Sequence, residues 1–244
     1  MRKDEIKKAI ISIGKQENTI TGIHNYCDRW CERCAFTSRC ASFALSEKIN
    51  LFDAETDLLN KEFWDDYTAM MQATIELLIE SMEKFGITAD ELKELVEESE
   101  REVPNAKFVS EAKVLGHKIF KWLQQNSDEF EKLGWNVSDA KMKKNIVFDA
   151  LDVVNWYCFF IASKIERASS SIGNDDMKSE MNGSAKVALI SVERSMTAFT
   201  ILHEKLTKHE DEILEFLIQL SSIKKTLLAS FPDAQTFIRP GLDE

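Results

Sequence analysis

Glycine and proline are scarce in this chain, which has only 8 glycines and 3 prolines among its 244 residues. A fold of many short strands needs turn residues at frequent intervals, so this composition argues against it. Apolar residues instead recur every three or four positions over long stretches, a spacing typical of amphipathic helices. The sequence therefore predicts an all-α fold, a bundle of about four long helices.

Positive charge is also in short supply. Lys and Arg number 31 against 42 Asp and Glu, which gives a formal net charge of −11. Such an excess of negative charge argues against general binding to nucleic acid or to an anionic membrane. Residues 1–40 are the exception, because they hold 8 basic residues against 5 acidic ones. A local basic patch at the Cys-rich stretch therefore stays open.

Long apolar runs are missing from the sequence. No uninterrupted run approaches the roughly 20 residues of a membrane span. The first residues, Met1–Glu5, are charged and are not followed by the apolar core of a signal peptide. These observations predict a cytoplasmic protein without a membrane partner. They leave its protein or redox partner and its oligomeric state open.

Four of the five cysteines lie within 14 residues, at Cys27, Cys31, Cys34 and Cys40. Their spacing is C-x3-C-x2-C-x5-C, and thiolates this close together are typical metal ligands. On a helix the first three would share one face, with neighbouring Cβ atoms roughly 5–6 Å apart. That separation suits the corners of an iron–sulfur cube, and a turn at Thr37–Ser38 would return Cys40 as the fourth ligand. The pattern predicts a [4Fe–4S] cluster.

The residues between the cysteines fit this interpretation. Arg29, Arg33 and Arg39 can offset the negative charge of a thiolate-ligated cluster. Four aromatic side chains nearby can exclude water, which is one determinant of the cluster potential: Tyr26, Trp30, Phe36 and Phe43.

Three other interpretations stay open for the four cysteines. Zinc also binds four soft ligands, and His24 could replace one cysteine, although zinc ligands usually come as two separated pairs. Redox-active thiols or disulfides are a second alternative, and thiols without a ligand are the third. The fifth cysteine, Cys158, lies in an apolar run and is predicted to be a buried hydrophobic residue.

Parts of the motif resemble known cluster motifs. C-x3-C-x2-C resembles that of radical S-adenosylmethionine enzymes, but the sequence lacks the strand–helix alternation of their barrel. C-x2-C-x5-C resembles the cluster loop of helix-hairpin-helix DNA glycosylases, but no Gly-rich hairpin accompanies it. The whole stretch, together with 182–189 and Arg239-Pro240-Gly241, resembles a family of bacterial proteins of unknown function with an N-terminal four-cysteine motif. That resemblance implies one coherent unit of bacterial origin and no particular activity.

Periodicity divides the chain into a Cys-rich metal-binding segment, 1–46, and a helical bundle, 47–244. Helices are predicted at about 1–13, 53–85, 106–133, 138–170 and from Ser184 onwards, with a second part at 214–228. Gly86 and Gly134 are predicted to end two of them. Thr88–Glu91 has the pattern of a capping box, and 169–183 is predicted to be a loop.

Two acidic residues stand out because they lie in the most apolar predicted helix. Asp149 and Asp152 are three residues apart and so share a helix face. Buried carboxylates need a cation, a metal or a shared proton to offset their desolvation. They are therefore the candidate catalytic residues, with Lys186 or Arg194 as charge partners. Lys164 and Arg167 on the same predicted helix are further possible partners. The alternative is that both lie on a narrow exposed edge of the helix.

These patterns predict a metalloprotein whose cluster serves electron transfer or redox sensing, with a second site in the bundle as a candidate for receiving its electrons. Because four protein ligands would leave no open iron, they favour electron transfer over Lewis-acid catalysis. The competing class is an interaction or scaffold protein in which zinc or a cluster only stabilises the N-terminal segment. The sequence does not decide whether the protein is an enzyme.

Overall fold

The structure, a computed structural model, describes residues 3–49, 61–88, 90–93, 104–135 and 145–243. Among these residues the regular secondary structure consists of helices, without a strand, which confirms the predicted all-α fold class. The α-helices are α1 Lys3–Gly14, α2 Ile23–Tyr26, α3 Ala41–Ile49, α4 Lys61–Phe85, α5 Ala106–Gln125, α6 Ser127–Lys132, α7 Ile146–Ser170, α8 Lys178–Lys205 and α9 Glu210–Ser230. Five of these have 20 residues or more, so the expected four long helices were too few.

The chain forms two compact units, which are described separately. The N-terminal unit comprises Met1–His24, Arg29–Arg101 and Pro240–Leu242. The bundle unit comprises Asn25–Asp28, Glu102–Arg239 and Asp243–Glu244. The boundary expected after residue 46 marks the end of the Cys-rich sequence, and it stays a prediction.

In the N-terminal unit, α1 packs against α3 and α4. Ile6 and Ala73 are fully buried between α1 and α4, and Ile10 and Met70 pack beside them. Ion pairs lie along the same contact, since Lys7 Nζ donates to Glu80 Oε1 at 2.6 Å and Lys3 binds Glu76. The predicted amphipathic helix at residues 1–13 is thereby confirmed.

In the bundle unit, α7 lies between α5 and α8, and α9 packs against α8 and α5. Twelve residues of α7 are buried, as expected for a helix that is apolar almost all round. By length and composition it is also the one described helix apolar enough to cross a membrane, a test that the core helix of a soluble protein passes as well. An aromatic cluster fills the space between α5, α6, α8 and α9, with Trp122 in ring contact with Phe130, Phe199 and Phe216.

Several predicted helix ends are confirmed. Gly86 and Gly134 follow α4 and α6 with left-handed backbones, φ 70° and 101°. Thr88 and Glu91 form the predicted capping box, because the Thr88 amide donates to Glu91 Oε2 at 2.7 Å and the Glu91 amide to Thr88 Oγ1 at 3.2 Å. α9 ends at Ser230, before Pro232, as expected. The predicted helical stretches at 53–60 and 138–144, including the Ser138 cap, lie outside the described residues.

Two predictions of helix limits were wrong. The helix expected over 106–133 is interrupted at Asn126, whose side-chain amide donates to the Trp122 carbonyl at 2.8 Å. α8 begins at Lys178 rather than at Ser184, so that Gly183 and Ser184 lie inside the helix and are buried. The ring of Tyr26 explains the glycine, because a Cβ at position 183 would overlap it.

The tightest approach in the bundle is that of α5 to α7. A Cβ on Gly116 would overlap the carbonyl oxygen of Cys158, which is backbone and cannot rotate away. We expect Gly116→Ala to lower the free energy of unfolding by about 1–3 kcal/mol, since the two helices must separate. Urea unfolding followed by far-UV circular dichroism measures this change.

Gly14→Ala is the control, because its Cβ would meet open space at the end of α1. It should change stability by no more than about 0.5 kcal/mol. Equal effects of the two substitutions would contradict the close approach of α5 and α7.

Candidate functional site

The four-cysteine stretch is not one continuous helix, so the expected shared helix face was wrong. α2 ends at Tyr26, and Arg29 has a left-handed backbone, φ 58°, which no helix continues through. Cys31 opens a single 3-10 turn, Cys31–Arg33, and Cys34 follows it in an extended conformation. A second 3-10 turn, Thr37–Arg39, confirms the turn predicted before Cys40.

Within the N-terminal unit, two sulfur atoms accept backbone hydrogen bonds. The Phe36 amide donates to Cys34 Sγ at 3.3 Å, and the Phe43 amide donates to Cys40 Sγ at 3.4 Å. Such bonds stabilise negative charge on sulfur, and they are one of the means by which proteins tune a cluster. Arg33 stacks over the Trp30 ring, 3.9 Å from its centroid, so a cation and an aromatic surface lie in the same turn.

Cys27 belongs to the bundle unit, within a short stretch that we call the anchored segment, Asn25–Asp28. The Asp28 carboxylate connects this segment to the helices of the bundle through two short hydrogen bonds. Oδ2 accepts a hydrogen bond of 2.6 Å from the Tyr157 hydroxyl and another of 2.6 Å from Arg194 Nη1. Arg194 Nη1 also donates to the Tyr157 oxygen at 2.6 Å, which closes a three-membered network.

Burial explains why this network is well defined. The Tyr157 side chain is fully buried, and burial raises the pKa of its phenol above the usual range. The phenol therefore stays protonated and donates a hydrogen bond to the Asp28 carboxylate. The Arg194 guanidinium supplies the positive charge opposite that carboxylate. Hydrogen bonds to a charged group are stronger than neutral ones. The network joins residues that are 129 and 166 positions apart in the sequence.

The backbone of the anchored segment is held as well. Three of its four carbonyl groups accept side-chain donors: that of Asn25 from Lys164, that of Tyr26 from Arg239 and that of Asp28 from Trp156. These distances are 3.3, 3.3 and 3.1 Å.

Two side chains of the anchored segment add further attachments. The Asn25 amide oxygen accepts from Arg167 at 3.1 Å, and Arg167 also pairs with Glu180. The Tyr26 ring rests on Gly183 and contacts the Phe237 ring. The residues on both sides of Cys27 are thus fixed by α7, α8 and the C-terminal tail.

The four candidate catalytic residues do not share one set of surroundings, although two of them line the same groove. Asp149 and Arg194 line one open groove of about 390 Å³ between α7 and α8, together with Glu193 and apolar side chains. Asp152 instead accepts a hydrogen bond of 2.9 Å from Trp135 Nε1, and Lys186 donates to the Gln235 carbonyl at 2.6 Å. Both carboxylates are partly exposed. Their catalytic role stays a prediction.

Sequence reasoning missed Asp28 and Tyr157 as parts of the site. It named Lys164, Arg167 and Arg194 as partners for Asp149 or Asp152, whereas their described hydrogen bonds connect all three to the anchored segment. One signal for this site was available in the sequence. Polar groups on the otherwise apolar helix α7 need hydrogen-bond partners, so their presence indicates that another part of the chain supplies them. The identity of those partners depends on the fold.

Cys158 lies apart from this site, as predicted. It is buried in α7, and its thiol donates to the Asn155 carbonyl at 3.1 Å. Burial raises its pKa to about 11, so it stays a neutral thiol. It is therefore a natural control for the other four cysteines.

Within the described residues, no three His, Cys, Asp or Glu side chains are gathered in a way that could hold a metal ion. No protein-family model matches the chain, and no curated protein or solved structure matches it significantly.

The Asp28 network makes a testable prediction about the anchored segment. We expect Tyr157→Phe to destabilise the protein by about 1–3 kcal/mol, because it removes a partly buried hydrogen bond from a buried side chain to a charged group. The segment should also exchange its amide hydrogens faster, as measured by mass spectrometry of peptides that contain Cys27. Combined with Asp28→Asn, the double mutant should show a coupling energy of about 0.5–3 kcal/mol.

Tyr67→Phe is the matched control, because Tyr67 lies on α4, outside the Asp28 network, and the substitution keeps its ring contact with Trp64. It should leave the amide exchange of the anchored segment unchanged. Additive effects of Tyr157→Phe and Asp28→Asn would show that the two side chains do not cooperate.

Proposed function

We propose that the protein carries a [4Fe–4S] cluster on Cys27, Cys31, Cys34 and Cys40 and uses it for electron transfer or redox sensing in the cytoplasm. The observation that carries this proposal is the spacing C-x3-C-x2-C-x5-C, which places four thiols within 14 residues of a chain with five cysteines. Iron–sulfur clusters are bound by four such thiolates.

Local geometry supports the proposal at two of the cysteines and beside a third. Cys34 and Cys40 accept amide hydrogen bonds at sulfur, the kind of bond by which proteins tune a bound cluster. The residues beside Cys27 are hydrogen-bonded to the bundle, so this ligand starts from a fixed backbone. Among the described residues no three possible ligands are gathered, so a cluster would have to draw the thiolates together as it binds.

A cluster with four protein thiolates has no open coordination position. Its chemistry is then to accept one electron and to release it again, with no bond to a substrate. The cationic and aromatic side chains near the cysteines would influence the potential of that exchange through charge and through solvent exposure. Electron transfer and redox sensing differ only in what receives the electron.

The competing proposal is a scaffold protein that binds zinc, or a cluster, for structure alone. It is favoured by the many hydrogen bonds that hold the anchored segment, since these fix a backbone position and perform no chemistry. Zinc would take the same four thiolates, each sulfur about 2.3 Å from the metal. The metal content decides between the two proposals.

Substitution of single cysteines tests the ligand set. We expect the anaerobically purified protein to be brown, with a broad absorption band at about 400 nm. Cys27→Ser, Cys31→Ser, Cys34→Ser and Cys40→Ser should each lose most of this absorption and of the bound iron. Cys158→Ser should keep both, because Cys158 is a buried neutral thiol outside the motif. A colourless protein with one zinc per chain would favour the scaffold.

The bundle should not depend on the metal for folding. Its core is buried in long helices that contact one another directly, unlike that of a small zinc domain. We therefore expect Cys31→Ser to lose the metal and to keep most of its far-UV helical signal. General unfolding of this variant would contradict the expectation and would make the metal site part of the folding core.

A further inference from the structure

The helix α4 carries an exposed apolar face that the proposed metal site does not explain. We define the α4 stripe as the seven large apolar side chains of α4 that are between 39 and 72 % exposed, namely Trp64, Tyr67, Met71, Ile75, Leu78, Ile79 and Phe85. Successive members are mostly three or four residues apart, so at 3.6 residues per turn they follow one side of the helix.

The stripe is distinct from the face by which α4 packs in its own unit. That packing face contains the buried Ala73 and the partly buried Met70, which contact α1. Ion pairs from Lys3 and Lys7 to Glu76 and Glu80 fix the rotation of α4 on α1. Once α4 is oriented in this way, the stripe points away from α1.

The stripe is large for a surface without a partner. At about 200 Å² for a large apolar residue, the exposed fractions correspond to roughly 700 Å². The largest apolar patch of a typical monomeric protein is about 300–600 Å² and is often a binding site. Two such stripes placed face to face would bury roughly 1,400 Å² in total, within the range of specific protein interfaces.

Charge identifies the kind of partner. At 100° per residue, every charged residue between Trp64 and Phe85 lies at least roughly 120° from the centre of the stripe. The positions on its flanks are neutral: Thr68, Gln72, Thr74 and Ser81. A second copy can therefore approach this face without meeting like charges, although the whole chain has a net charge of −11.

A membrane surface fits the helix less well. Helices that lie in a membrane interface usually carry Lys and Arg on their polar face, where they meet anionic lipids. The polar side of α4 instead carries mostly carboxylates, Glu76, Glu80 and Glu83, two of them paired with lysines of α1, so it offers no row of Lys and Arg to anionic lipids.

We propose that α4 is a self-association surface, and that two copies of the chain pair through their α4 stripes. The pairing is apolar and symmetric, with the same face contributed by each copy. It does not depend on the metal site, since α4 contains no cysteine.

Mass measurement in solution tests this proposal. Size-exclusion chromatography with light scattering should give twice the chain mass for the wild-type protein at micromolar concentration. Leu78→Glu places a charge in the middle of the stripe and should weaken the dimer by at least about a hundredfold, because the buried charge has no partner. Its far-UV circular dichroism should be unchanged. A monomeric wild-type protein overturns the proposal.

Ile218→Glu is the matched control, since Ile218 is the most exposed isoleucine on α9 and lies outside the stripe. It should leave the dimer intact, and an equal loss in both variants overturns the assignment to α4. A photo-crosslinking amino acid at position 78 gives a second readout, because it reports directly what contacts the stripe and needs no comparison between variants. A product of twice the chain mass supports the proposal, whereas a crosslink within one chain, to lipid vesicles or only to another protein overturns it.

Discussion

The bundle depends on one constraint: α7 is apolar on nearly every side, and twelve of its 25 residues are buried against other parts of the bundle. α5 and α8 pack against it, and the close contact of Gly116 with the backbone of Cys158 shows how near the helices come. The few polar groups on α7 then need partners of their own. Tyr157, Lys164 and Arg167 find them in the anchored segment, so the requirement that shapes the bundle also fixes the backbone beside Cys27.

Much of the fold could be predicted from the sequence, because helices depend largely on local periodicity and on end signals. The long helices appear as apolar stripes, and local rules describe the ends at Gly86, Gly134 and Pro232. The capping box of Thr88 and Glu91 is likewise contained within four residues. These features need no knowledge of what packs against them.

The errors lie where distant residues decide the local structure. Gly183 lies in a stretch with the composition of a loop, but the structure has it inside α8, where the ring at position 26 leaves no room for a Cβ. The cysteines fit one helix face by spacing, but the left-handed backbone of Arg29 interrupts any helix there. Asp28 gives no sign in the sequence that it pairs with Arg194, 166 residues later. The thiol spacing itself remains the strongest functional signal, and it was available from the sequence.

The metal content of the purified protein tests the proposed function most directly. Mössbauer spectroscopy of iron-isotope-enriched, anaerobically purified protein, combined with iron and acid-labile sulfide analysis, reports the cluster type independently of any activity. The account predicts the spectrum of a [4Fe–4S] cluster, with about four iron and four sulfide per chain. Protein that contains zinc and neither iron nor sulfide would contradict it.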